Sequence, residues 1–170
     1  MANLDEELIR RNIFKLVDHS GLTDVSFAHL LDVSDKQIKR IKKGEAAFSI
    51  DNINKACDFF GKSLSSINSK EMRVEDRFRN KLIKRHKGNT EYSKILEERP
   101  PITYAINFEL LKNESFKTKG LDVSQIHQVF EERGWGYSSS YISLAMSRHK
   151  DRIERLPHPQ KQKRYMYKGK

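Results

Sequence analysis

Between Asp35 and Lys43 five of nine residues are basic: Lys36, Lys39, Arg40, Lys42 and Lys43. At about 100° per residue, Lys36, Arg40 and Lys43 share one helix face. Gln37 and Lys39 flank it, and Ile38 and Ile41 point the other way. These types suit recognition of a polyanion. Arg and Lys match guanine edges and Gln matches adenine, while cations and hydroxyls hold phosphates. A second set lies on a predicted helix over 139–149. There Ser140, Ser143 and Ser147 oppose the apolar face of Ile142, Ala145, Met146 and His149, with Ser139 at the start and Arg148 near the end. A third set, Arg155, Lys161, Lys163 and Arg164, is interleaved with Tyr165 and Tyr167 near the C-terminus.

Other chemistries find little support. The six histidines are scattered, and no two sit at ligand spacing. A single cysteine, Cys57, excludes an internal disulfide and a Cys-based zinc site. There is no Gly-rich phosphate loop and no HExxH. The serines around Tyr141 have no adjacent base. The expectation is a binding protein rather than an enzyme, with no cofactor and no metal.

The charge balance agrees. The chain has 33 Lys and Arg against 23 Asp and Glu, a net +10 over 170 residues. Such a balance favours nucleic acid first and an anionic membrane surface second. Residues 151–170 carry seven basic residues against two acidic, so half of the excess lies in the last twenty positions. A basic tail is often a solvated, disordered one, but the interleaved tyrosines favour an ordered strand. Residues 71–100 contribute +3, and residues 1–70 and 101–150 only +1 each. No apolar run is long enough to span a membrane, and the N-terminus has no apolar signal core. A cytoplasmic, nucleoid-associated protein is expected.

The elements that position these residues follow from periodicity. Residues 4–18 form a first helix, with Leu8, Ile9, Ile13, Leu16 and Val17 at helical spacing. Asp5, Glu6 and Glu7 suit its N-terminus, and Gly21 its end. A second helix starts at Thr23 or Asp24 and carries Phe27, Ala28, Leu30 and Leu31. Asp32 occupies the turn and Val33 plugs the core. Ser34 caps the third helix, 35–43. A fourth runs from a cap at Ser49 through Phe60, and Leu64 to Ile67 adds a short fifth. Cys57 lies on the apolar stripe of the fourth helix, which makes it a small core residue.

Residues 9–67 resemble the lambda-repressor-like, Cro/C1-type (Xre-type) helix-turn-helix domain. Gly21, Leu22, Ala28, Leu31, Val33, Ser34, Ile38, Ile41 and Gly44 carry the likeness, each at the family's spacing. Three positions depart from it. Asp24 replaces a glutamine, Asp32 a glycine, and Lys42 a glutamate. The resemblance implies that the third helix enters the major groove. Lys36, Gln37 and Arg40 would then reach bases, and Ser34, Lys39 and Lys43 would hold phosphates.

Residues 69–100 read as a basic helical connector, with a helix from Glu71 to Lys87 and another from Glu91 to Glu98. Its basic run is either an extra phosphate-binding surface or a solvated linker face. Phe78 and Leu82 also suggest self-association, since they need cover. The pair Pro100–Pro101 marks the boundary, giving domains of 1–68 and 101–170.

The second domain reads as one helix over 102–111, a second over 123–133, a third over 139–149, and a β-hairpin with a basic loop. That order, with the segment LDVSQIHQVFEERGWGYSSSYISLAM, resembles a winged helix. The fold class expected is therefore mainly α: a four- or five-helix N-terminal domain, then three helices and a hairpin. Ser139, Ser140, Ser143, Ser147 and Arg148 would approach DNA, and Arg155, Lys161, Lys163 and Arg164 would hold its backbone.

The resemblances together imply a sequence-specific double-stranded DNA-binding protein, a bacterial or phage transcriptional repressor. Two other readings stay open. One is a replication or partition protein. The other is an antitoxin- or anti-repressor-like module whose C-terminal domain grips a protein partner. A homodimer is compatible with all of them.

Overall fold

The computed structural model describes residues 3–170. The chain is mainly helical, with a two-stranded antiparallel sheet near its C-terminus. It divides into two compact units, Met1–Glu98 and Arg99–Lys170. No helix among the described residues is long and apolar enough to cross a membrane.

The first unit contains α1 (Glu6–Ser20), α2 (Asp24–Leu31), α3 (Asp35–Lys42), α4 (Ile50–Phe60), α5 (Leu64–Ile67), α6 (Phe78–Arg85) and α7 (Thr90–Glu97). Asp5, Thr23, Ser34, Ser49 and Ser63 cap α1 to α5, each side chain accepting a backbone N–H from three residues on. Such a cap is worth about 1 kcal/mol, which matters most for helices as short as α2, α3 and α5. The caps fix where each helix starts, and the apolar stripes fix how it packs. Phe27 of α2 is fully buried and meets Phe14 edge-on at 5.9 Å between ring centroids. Ile38 and Ile41 of α3 are buried in the same core as Ile9, Ile13 and Ile53.

Residues 69–98 belong to this core rather than forming a separate connector. The helix expected from Glu71 begins only at Phe78, because residues 69–77 are held in an irregular path. The buried Asn12 does much of this. Its Nδ2 donates to the carbonyls of Ile67 and Lys70 at 2.8 and 2.9 Å, and its Oδ1 accepts the Met72 N–H at 2.9 Å. Arg77 then takes a left-handed conformation, φ 57°, immediately before α6. Phe78 and Leu82 are buried in the unit's own core, so they offer no face for self-association.

The second unit runs α8 (Ile102–Phe108), a 3₁₀ turn (Leu110–Lys112), α9 (Glu114–Thr118), α10 (Val123–Glu131), α11 (Ser139–Arg148), β1 (Ile153–Pro157) and β2 (Tyr165–Gly169). The single helix expected over 102–111 stops at Phe108. Glu109 leaves the helical region at φ −123°, and Asn113 starts the short α9 by accepting the Phe116 N–H. The three expected helices are thus joined by this extra turn and helix. β1 and β2 pair antiparallel with Arg155 opposite Tyr167. Leu121 adds a third rung on the other edge, exchanging both backbone hydrogen bonds with Tyr167 at 2.7 and 2.8 Å. A side chain at Gly120 would strike the Tyr167 carbonyl at 2.9 Å, and φ there is +81°. Glycine is therefore required where the chain enters this edge. Phe116, Ile126, Phe130, Tyr137, Ile142, Ile153 and Tyr167 fill the core.

Candidate nucleic-acid interface

The first candidate surface is the outer face of α3. Asp32 closes the turn before it in the left-handed region, φ 58° and ψ 44°. The Val33 N–H then returns to the Ala28 carbonyl at 3.0 Å. Ser34 starts α3 by accepting the Gln37 N–H at 3.1 Å, which leaves its own proton free to donate. Asn52, in the first turn of α4, ties the end of α2 down by donating to the Leu31 carbonyl at 3.2 Å. At the far end the Gly44 and Glu45 amides return to the Ile41 and Arg40 carbonyls, with Gly44 at φ 79°. A side chain at Gly44 would meet the Arg10 guanidinium at 3.0 Å. Both ends of α3 are thereby closed, by the Ser34 cap at one and the Gly44 turn at the other.

Lys36, Lys39, Arg40 and Lys43 are exposed on this helix, and Gln37 is half-buried beside them. Arg40 donates to Gln37 Oε1 at 3.4 Å, a long bond that holds the two side chains together. Of the basic residues from 36 to 43, only Lys42 has an acidic partner among the described residues. Its Nζ lies 3.3 Å from Asp24 Oδ1 and 5.6 Å from the centre of the Phe14 ring. The remaining cations on this face are therefore unneutralised, while Lys15, Lys62 and Lys81 in the same unit pair with Glu71 and Glu75.

The second surface is built by α11 and the hairpin. Ser138 caps α11 by accepting the Tyr141 N–H at 3.2 Å. Ser139, Ser140, Ser147 and Arg148 are exposed, and Ser143 is half-buried. Ser147 donates its proton to the Ser143 carbonyl at 3.1 Å, so it presents only lone pairs outward. Two apolar side chains stand among these serines, Tyr141 and Leu144. Arg155 lies over the Tyr165 ring at 4.3 Å, which orders its guanidinium on the hairpin. Lys161, Lys163 and Arg164 are exposed in the loop between the strands, with Lys163 at φ 61°.

The residue that shapes this loop does not stand out in the sequence. His158 Nδ1 accepts the backbone N–H groups of Gln160 and Lys161, both at 3.1 Å. Its Nε2 faces Asp122 Oδ2 at 3.4 Å, the carboxylate that also caps α10 in a capping box with Gln125. His158 thus positions the basic loop against the start of α10. A histidine between two prolines carries no pattern that would reveal this.

No family model matches the chain, and no curated protein or solved structure matches it.

A second residue whose role the sequence hides is Arg79, one of six cations in the run from Arg77 to Lys87. It is 5% exposed. Its Nη1 donates to the carbonyls of Ser20 and Gly21, and its Nη2 to those of Leu96 and Glu98, at 2.6 to 3.2 Å. It satisfies the C-terminal ends of α1 and α7 and is not available to a phosphate. Cys57 offers no nucleophile: burial pushes its thiol above the ordinary value, which keeps it protonated.

Proposed function

We propose that this is a sequence-specific double-stranded DNA-binding protein, a transcriptional regulator acting on the nucleoid. On this reading α2, the Asp32 turn and α3 form a Cro/C1-type helix-turn-helix, and α3 lies in the major groove. Arg40, Lys36 and Gln37 read base edges, and Lys39, Lys43 and the Ser34 hydroxyl hold phosphates. The second unit acts as a winged helix. Its α8, the Leu121 rung, α10, α11 and the β1–β2 hairpin follow that order, and the basic loop is the wing.

The observation that carries the reading is the outer face of α3. Cations without an acidic partner project from a helix whose other side is buried and whose ends are both capped. Long-range attraction comes from elsewhere, since residues 1–70 carry only +1 and residues 151–170 carry +5.

Selection of bound duplexes from a random pool, followed by titration at several salt concentrations, tests this. Affinity should fall steeply with salt as phosphates release counterions. Arg40→Ala should cost about 1–3 kcal/mol and relax preference at one position. Replacing Lys161, Lys163 and Arg164 by serine should lower the salt slope by about one for each phosphate that is no longer held. Absence of any sequence-selective duplex binding would overturn the proposal.

A further inference from the structure

Leu144 is 46% exposed and Tyr141 is 41% exposed, one turn apart on the outer face of α11. The helix does not need them for its core, because Ile142, Ala145 and Met146 already fill the buried side. Single exposed apolar residues need no explanation, but these two are adjacent and their surroundings are unusual. Ser140 and Ser147 lie on the same stripe at i−4 and i+3 from Leu144, and Arg148 follows at i+4. From Ser138 to Arg148 there is no Asp or Glu. The face is therefore apolar at its centre, hydroxylated around it, without a carboxylate of its own and followed by a basic hairpin.

Resting on the DNA-binding reading above, we propose that α11 reads thymine, with Leu144 packing on the C5-methyl group in the major groove and Tyr141 extending the apolar contact. The methyl is the one apolar group among the base edges exposed there. Charge complementarity selects this occupant: α11 itself meets a polyanion with no carboxylate between Ser138 and Arg148. The neighbouring polar atom is suited to the same base pair. Ser147 has committed its proton to the Ser143 carbonyl, so its oxygen is an acceptor, matched to the exocyclic amine of adenine opposite thymine. The two units thus read different chemistry, guanine by the cations of α3 and thymine by the apolar face of α11.

The test uses the full chain and the duplexes selected above, with each thymine in turn replaced by deoxyuridine, which removes only the methyl. One or two positions should lose about fourfold in affinity, the worth of one buried methyl. Leu144→Ala should bind the unmodified duplex several-fold more weakly and show no further loss at those positions. Positions whose preference relaxes in Arg40→Ala should be unaffected by Leu144→Ala. The proposal is overturned if no thymine is sensitive, or if the deoxyuridine penalty persists unchanged in Leu144→Ala. It is also overturned if Leu144→Ala instead converts a dimer to a monomer with methyl sensitivity intact, because the face then covers a second copy. Failure to select any duplex would defeat the DNA-binding reading itself, whereas selective but methyl-blind binding would defeat only this inference.

Discussion

Asp24 and Lys42 pair at 3.3 Å, joining the first turn of α2 to the last turn of α3. On the proposed helix-turn-helix reading, these are two of the three positions that depart from the family's pattern. On that reading the departures are coupled, with an acid where the family has a neutral group on one helix and a base where it has an acid on the other. The pair lies at the surface, so its contribution to stability is small, below about 1 kcal/mol. Its larger effect is electrostatic, because it occupies Lys42 and keeps a carboxylate beside the proposed DNA face. Asp24→Asn should leave the urea midpoint nearly unchanged. It should raise duplex affinity by roughly twofold to threefold at low salt, with the gain fading as salt screens it.

Arg79 makes a different kind of contribution. Its planar fork reaches four carbonyl oxygens that have no helical partner. Truncation would leave those acceptors buried and unsatisfied, the costly side of hydrogen-bond energetics. Arg79→Ala should destabilise the protein by about 3 kcal/mol in denaturant titrations. Arg79→Lys should recover only a minor part, since an ammonium cannot span both pairs of carbonyls. At a temperature where the variant remains folded, its salt slope for DNA should match that of the wild type. A reduced slope would mean that Arg79 contacts phosphate.

These two residues show where sequence reading runs out. The spacing of Ile38 and Ile41, and serines placed to cap, make α3 and its inward face legible from local pattern alone. So does the alternation that marks the hairpin. Nothing local distinguishes Arg79 from Arg77 or Lys81 in the same basic run. Its burial is decided by the ends of α1 and α7, which meet only in the folded unit. The irregular path of residues 69–77 is hidden for a related reason. Their composition permits a helix, but Asn12, some sixty residues earlier, holds their backbone in another course. The short α9 is too brief for periodicity to reveal, and His158 acts through a carboxylate 36 residues away.

Alkaline pH provides a test of the packing of α7. The Tyr92 hydroxyl donates to Asp58 Oδ2 at 2.9 Å. Burial, and then the Asp58 carboxylate, push its phenol from 10 up to about 12. A raised acid holds its proton more tightly in the folded state. The stability from this contact is therefore fully present below about pH 10 and fades as pH rises from 10 through 12. Tyr92→Phe removes the hydrogen bond at every pH. The difference in urea midpoint between wild type and Tyr92→Phe should be constant from neutral pH to about 10 and shrink above it. Phenolate absorbance of the wild type should include a component titrating near pH 12 that is missing from Tyr92→Phe.

Asp32 allows the turn itself to be examined. It is a non-glycine residue at φ 58°, ψ 44°, where a side chain costs roughly 1–2 kcal/mol for most residue types and less for Asp. Glycine takes this conformation without penalty, at the expense of greater freedom in the unfolded chain. The conformational gain should exceed that loss, so Asp32→Gly should stabilise the protein by about 0.5 kcal/mol. Asp32→Val, branched at Cβ, should instead destabilise it by more than about 1 kcal/mol. The aspartate is exposed just before α3, so the glycine variant also removes a negative charge from the approach to DNA. It should bind the selected duplex at least as tightly as wild type and with the same sequence preference, because the α3 side chains keep their positions. Denaturant titration and duplex titration on the same preparations check both halves. A stabilised variant with altered base preference would show that Asp32 sets the orientation of α3, rather than simply closing the turn.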